Sequence, residues 1–178
     1  MSKESNILEL FYNEPTKHWH FEDILKHAGI SRPQAVQWIR KMLRDKLVKR
    51  IKPRKKMPYY VGNYAHPNYQ ARKRLHALAS LVHCGLFSYL LGNPSIKLAI
   101  LFGSYSRWDW YRESDVDLFV VGTGEARLPH FVLGREVELF YCSSKKGFSG
   151  YPPALLQNIR EGFCIKGSFS MLDEKITR

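Results

Sequence analysis

An apolar run, Leu98-Ala99-Ile100-Leu101-Phe102, ends in Gly103-Ser104. After ten further residues a second apolar run opens on two acids, Asp115-Val116-Asp117-Leu118-Phe119-Val120-Val121. The pattern reads as strand, turn, polar and aromatic segment, strand. Side chains alternate along a strand, so Asp115 and Asp117 are expected on one face. That face continues into Phe119 and Val121, so the acids sit at the mouth of a strand that is buried further in. Two carboxylates held so close repel each other unless a cation lies between them. Their hard oxygens suit Mg²⁺ or Mn²⁺, ions that normally also hold substrate phosphates. Gly103 permits a sharp turn and the close approach of a phosphate. Ser104 is expected to cap the following helix, whose first N–H groups would face an anion. A lone Asp-x-Asp is more readily a solvated strand end. The Gly-Ser turn at this spacing, with a later acidic strand, moves the reading to a nucleotide site.

These residues resemble the signature of nucleotidyltransferases of the DNA polymerase beta superfamily, G-[GS] followed about ten residues later by D-x-D, and in particular its small minimal branch. The resemblance spans about residues 95–168. It implies a third carboxylate on a later strand. Here that strand reads Gly134-Arg135-Glu136-Val137-Glu138-Leu139-Phe140-Tyr141, where Glu138 stands in the place of the family's Asp and Glu136 on the same face is the competing choice. It also implies that Arg107 lies near a triphosphate, in a run where Trp108 replaces the family's Gly. Leu155 to Phe163 is similar to the family's closing helix and short last strand. By the resemblance, Asp115, Asp117 and Glu138 hold a pair of Mg²⁺ or Mn²⁺ ions. Glu138 serves the acceptor side, and Gly103, Ser104 and Arg107 hold a nucleoside triphosphate whose α-phosphorus is attacked with release of pyrophosphate.

The charge is unevenly spread. Of the net +12, residues 1–92 carry +11, from seventeen Lys or Arg against six Asp or Glu, and the remainder only +1. A small, strongly basic module is the footprint of a polyanion binder. Within it, residues 5–13 read as a helix ended by Pro15, and His18 to Phe21 as a short strand. Residues 21–28 read as a helix broken by Gly29. Ser31 then caps a third helix reaching about Asp45, with Ala35, Val36, Ile39, Met42 and Leu43 at buried spacing. Leu47 to Ile51 and Tyr59 to Val61 are expected as two strands around a basic turn. This order of elements over residues 1–63, with Ala28-Gly29-Ile30-Ser31 leading into the long helix, resembles a winged helix-turn-helix. The resemblance implies binding of duplex DNA. Ser31, Arg32, Gln34, Gln37, Trp38 and Lys41 would lie near base edges, and Arg50, Lys52, Arg54, Lys55 and Lys56 along phosphates.

Residues 64–94 form the connection. From Asn68 to Leu91 there is no proline and Gly85 is the single glycine, so one long helix, bent at Gly85, is expected. Its broad apolar stripe suits packing on the sheet that follows or pairing of two chains in a homodimer. No apolar stretch approaches a membrane span. The opening Met1-Ser2-Lys3-Glu4-Ser5 is unlike a signal peptide, and three scattered cysteines (Cys84, Cys142, Cys164) fit a reducing cytoplasm. His18, His20 and His27 lack partner cysteines, so a zinc site is not expected.

The expected architecture is α+β: a winged helix-turn-helix at 1–63, a connecting helix at 64–94, and an α/β nucleotidyltransferase core with a mixed sheet at 95–178. The leading function is a metal-dependent nucleotidyltransferase joined to a DNA-binding module. The resemblance leaves the acceptor open; a protein hydroxyl, such as one on a partner toxin of HEPN type, is the branch's implication. The rival is a transcription regulator whose transferase-like domain senses nucleotide or mediates dimerisation.

Overall fold

A computed structural model of the chain describes residues 3–123, 130–143 and 145–173. They form two compact units that divide at His76/Ala77. The division falls inside the connecting segment rather than at either of its ends.

The first unit opens with three helices, α1 (Lys3–Asn13), α2 (Phe21–Ala28) and α3 (Arg32–Arg44). Each break has a local cause. Gly29 takes the left-handed conformation (φ 61°) and its N–H closes α2 on the Leu25 carbonyl. Ser31 and Gln34 form a capping box at the start of α3, with Pro33 in its first turn. Ile7, Phe11, Ile24, Ala35, Ile39 and Met42 are buried, as are Trp19 and Leu47. Val36, Leu43 and Leu25 are only half-buried, at the margins of their stripes. A hairpin of β1 (Val48–Ile51) and β2 (Tyr59–Gly62) follows, pairing Val48 with Gly62 and Ile51 with Tyr59. The strand expected at residues 18–21 shortens to a single bridge between Trp19 and Tyr60. His20 already leads into α2, so no further rung forms.

The long connecting helix is two helices, α4 (Pro67–His83) and α5 (Leu86–Gly92), bent by 63°. Gly85 sits at φ 84°, which interrupts the i→i−4 ladder instead of bending it. Among the described residues no single helix is long and apolar enough to cross a membrane.

The second unit is built on a mixed five-stranded sheet. Its strands are β3 (Ile96–Phe102), β4 (Val116–Gly122), β5 (Phe131–Val132), β6 (Arg135–Cys142) and β7 (Phe163–Lys166), in the order β5-β6-β4-β3-β7. β4 and β6 run parallel and the other pairs antiparallel. Helices α6 (Gly103–Arg107), α7 (Lys145–Phe148), α8 (Pro153–Arg160) and α9 (Ser170–Asp173) complete it. One sheet face carries Leu98, Ile100, Phe102, Phe119 and Cys142 against Phe148 and Ile159. The residues that alternate with these, Ala99, Leu101, Leu118 and Val120, are equally buried, so the central strands read as apolar runs. Lys166 ties the unit together in a way no pattern announced. Its Nζ donates to the carbonyls of Leu90 (3.2 Å), Leu91 (3.0 Å) and Asn93 (2.7 Å), closing the end of α5.

Candidate functional site

The site grows from the end of β3. Phe102 faces Asp117 across the antiparallel ladder, and Asp117 faces Glu138 across the parallel one. In each pair the side chains share a sheet face, so the two carboxylates lie side by side above Phe119 and Phe140. At Gly103 the chain leaves the sheet with φ 69°, and a Cβ built there would overlap the Asp117 carboxylate. Glycine is therefore required twice, by conformation and by space.

Asp117 is half-buried, and its pKa is pushed up from 3.8 to about 6. Burial is the main cause. Repulsion by Glu138, a hydrogen bond shared with Glu138 and repulsion by Asp115 add to it, while Arg107 opposes them. Glu138, Asp115 and Arg107 are thus all within electrostatic reach of this one carboxyl. Glu136 is not among those influences; it pairs with Phe131 of β5 at the far edge of the sheet and is exposed.

Two expectations need correction. Asp115 is not on the strand, because β4 begins at Val116 and Asp115 lies exposed in the preceding loop. The cause is that β3 ends at Phe102, opposite Asp117, and leaves nothing on that side for Asp115 to pair with. Ser104 does not cap a helix either. The helix starts two residues earlier, at Gly103, with Phe102 at the cap position and no side-chain cap bond. Ser104 is the second residue of a five-residue turn, α6, in which Ser106 Oγ donates to the Gly103 carbonyl at 3.0 Å. So short a helix offers little dipole, and any phosphate contact falls to the turn itself and to Arg107. Arg107 is half-exposed and pairs with Asp109 at 3.3 Å.

Sequence reasoning passed over the residue that holds this loop. Arg135, nearly buried at the start of β6, donates through Nη1 to the carbonyls of Tyr111 (2.7 Å), Arg112 (2.8 Å) and Ser114 (2.8 Å). Its guanidinium lies 5.6 Å from the Tyr105 ring, and Tyr105 stacks on buried Trp110 at 4.7 Å. Arg135 therefore anchors the segment that delivers Asp115. Its position between Gly134 and an acidic strand carried no signal of this, since the carbonyls it serves are more than twenty residues away. Trp108, in the place of the family's Gly, adopts the left-handed region (φ 67°, ψ 22°) and closes α6 through its N–H on the Ser104 carbonyl.

Among the described residues no group of three or more His, Cys, Asp or Glu is arranged to hold a metal ion. The paired carboxylates suit Mg²⁺ in another way. That ion commonly takes one or two carboxylates and completes its shell with water and phosphate oxygens. Asp117 and Glu138, neighbours on one sheet face, are the residues that would supply those carboxylates.

In the first unit, the candidate base-reading residues are partly engaged within the chain. Arg32 pairs with Glu22 (2.6 Å), and Gln34 accepts from the Ser31 N–H (3.3 Å). Lys41 pairs with Glu4 (2.8 Å) and sits 5.2 Å from the Trp38 ring. Gln37 is exposed and Trp38 half-buried on the same helix. Arg50, Lys52, Arg54, Lys55 and Lys56 all lie exposed on the hairpin and its turn.

A family model described as polymerase beta, nucleotidyltransferase, matches residues 86–141. The matched stretch includes Gly103, Ser104, Arg107, Asp115, Asp117 and Glu138. The similarity supports a nucleotidyltransferase-type domain with nucleotidyltransferase-type activity. No curated protein matches the chain.

Proposed function

We propose that the second unit is a metal-dependent nucleotidyltransferase and that the first is a winged helix-turn-helix binding duplex DNA. The observation that carries the first half is the pairing of Asp117 with Glu138 beside Gly103, inside a stretch similar to nucleotidyltransferases. Asp117, Glu138 and the exposed acid Asp115 would hold Mg²⁺ or Mn²⁺. A divalent ion bound there neutralises triphosphate charge and polarises the α-phosphorus. The chain's own groups do the rest. The Gly103-Ser104 turn admits the phosphates, and Arg107, part-exposed at its end, balances their charge. Glu138 lies beside Asp117 toward the β6 edge, where it can take the proton of an acceptor hydroxyl. The acceptor oxygen attacks the α-phosphorus, the bond to the bridging oxygen breaks, and pyrophosphate leaves. A hydroxyl on a protein partner is the proposed acceptor.

The second half rests on the exposed basic turn between β1 and β2 and on the charge bias of the first 92 residues. The regulator reading, in which the site binds nucleotide without turnover, is favoured by one observation: Asp115 stands off the strand, exposed. Incubation of the full chain with α-labelled nucleoside triphosphates, Mg²⁺ and an extract of its source cell separates the two. Label transferred to a macromolecule by the parent and not by Asp117→Asn supports the transferase. Triphosphate binding without any transfer supports the regulator.

A further inference from the structure

A helix on a globular domain ordinarily turns its polar face outward. On α4 the outward face is apolar. Tyr69, Lys73, Ala77, Ser80 and Leu81 are buried on one side of the helix. On the other, Ala71, Leu75, Ala79 and Val82 are exposed and Leu78 is half-buried. The two largest exposed side chains are far from covered, Leu75 at 61% and Val82 at 54% exposure. By helix geometry the five residues fall within about 100° of the circumference and about 16 Å of the length, so they form one stripe. The steps of four, three and four from Ala71 to Val82 are those of a seam between packed helices. A contiguous apolar stripe with a polar rim marks an interaction site, whereas single exposed hydrophobics do not.

The rim says what covers it. Arg74 borders one edge of the stripe, and Arg72 and His83 the other, all exposed. Arg72 comes no closer than 3.9 Å to the Glu4 carboxylate, too far for a hydrogen bond. No acid answers these cations on α4, and the sequence has none between Asp45 and Asp109. A second copy laid on the stripe through its own α4 would therefore set cations against cations in either orientation. A lipid surface fits poorly too, because the stripe has no aromatic ring to sit at headgroup level. We propose that this face of α4 docks an amphipathic helix of a partner protein whose apolar seam is bordered by Asp and Glu. Leu75 and Val82 anchor it, and Arg72 and Arg74 select its acidic rim. The proposal depends on neither the nucleotide site nor the DNA reading.

A photo-crosslinking residue in place of Ala79 of the full chain, irradiated in the source cell, tests this. Mass spectrometry of the linked peptide should return a segment of another protein. Its apolar residues should recur at three and four, with Asp or Glu beside them. That segment, synthesised and titrated by fluorescence anisotropy against the full chain, should lose about tenfold or more in affinity to Leu75→Gln with Val82→Gln. Arg72→Gln with Arg74→Gln should weaken it and flatten its salt dependence. Lys26→Gln with Lys97→Gln, which removes as much charge from exposed positions off the stripe, should change little. All the altered side chains are exposed, and melting curves check that each variant folds. A link to a second copy, to nucleic acid or to lipid overturns the proposal, as does no link at all. So does a linked segment without acids, or one that the Leu75 and Val82 double variant binds as the parent does.

Discussion

Set between Phe102 and Glu138, the Asp117 carboxyl keeps its proton to about pH 6. Because the folded state raises this pKa above 3.8, the folded chain binds the extra proton more tightly than the unfolded one. The associated stability is complete below about pH 4 and is lost as pH rises through 6. Asp117→Asn keeps the shape and removes the charge. In metal-free buffer the variant should melt above the parent at pH 7, with the gap closing toward pH 4. Added Mg²⁺ should raise the melting temperature of the parent and not of the variant; thermal melts across pH and Mg²⁺ read both effects. The neighbouring acids divide by position. Glu138→Gln should abolish turnover while sparing much of the triphosphate binding, and Glu136→Gln, altered at the β5 side of the sheet, should change little. Steady-state rates and calorimetry on the two variants check this, and a reversed result moves the role by two residues.

At the scale of elements, one guanidinium braces the loop from Tyr111 to Ser114. Arg135→Met leaves the carbonyls of Tyr111, Arg112 and Ser114 without their charged donor, at a cost of about 2–3 kcal/mol by chemical denaturation. Amide exchange should quicken first in that loop, and Mg²⁺ affinity should fall as Asp115 loses its anchor. Most elements were legible beforehand because their signals are local. Pro15, Gly29 and the Ser31 cap delimit the first three helices, and the apolar runs around Gly103 and Asp117 mark β3 and β4. What was not legible depends on partners far along the chain. Asp115 drops off β4 because β3 stops at Phe102, the strand at Trp19 shrinks to one bridge, and Arg135 serves carbonyls more than twenty residues upstream. Within the site, the closeness of Asp117 and Glu138 follows from a parallel register that no single strand's pattern specifies.

For the whole molecule, the division of charge matters most. The first 92 residues hold a net +11 and the rest +1, with the basic turn at Arg54, Lys55 and Lys56 exposed. If that turn lies along phosphates, each lost contact flattens the plot of log K against log salt by about 0.9. Replacing all three residues with Ala in the full chain should flatten it by about two to three units, while sequence preference survives. Gln37→Ala should do the reverse, relaxing preference with little change of slope. Lys41, already held by Glu4, should contribute less than its place on α3 suggests. Fluorescence anisotropy with duplexes at several salt concentrations measures these changes. A triple variant with an unchanged slope would remove the turn from the interface.

The contact between Gly103 and Asp117 also sets an order in which this chemistry can decay. A side chain gained at 103 must displace the Asp117 carboxylate and also strain a left-handed turn, so it disturbs the site in two ways. Loss of the carboxylate at 117 comes first without steric penalty and then leaves the turn constrained by its backbone alone. Descendants that lose the site should therefore shed the acid before the glycine.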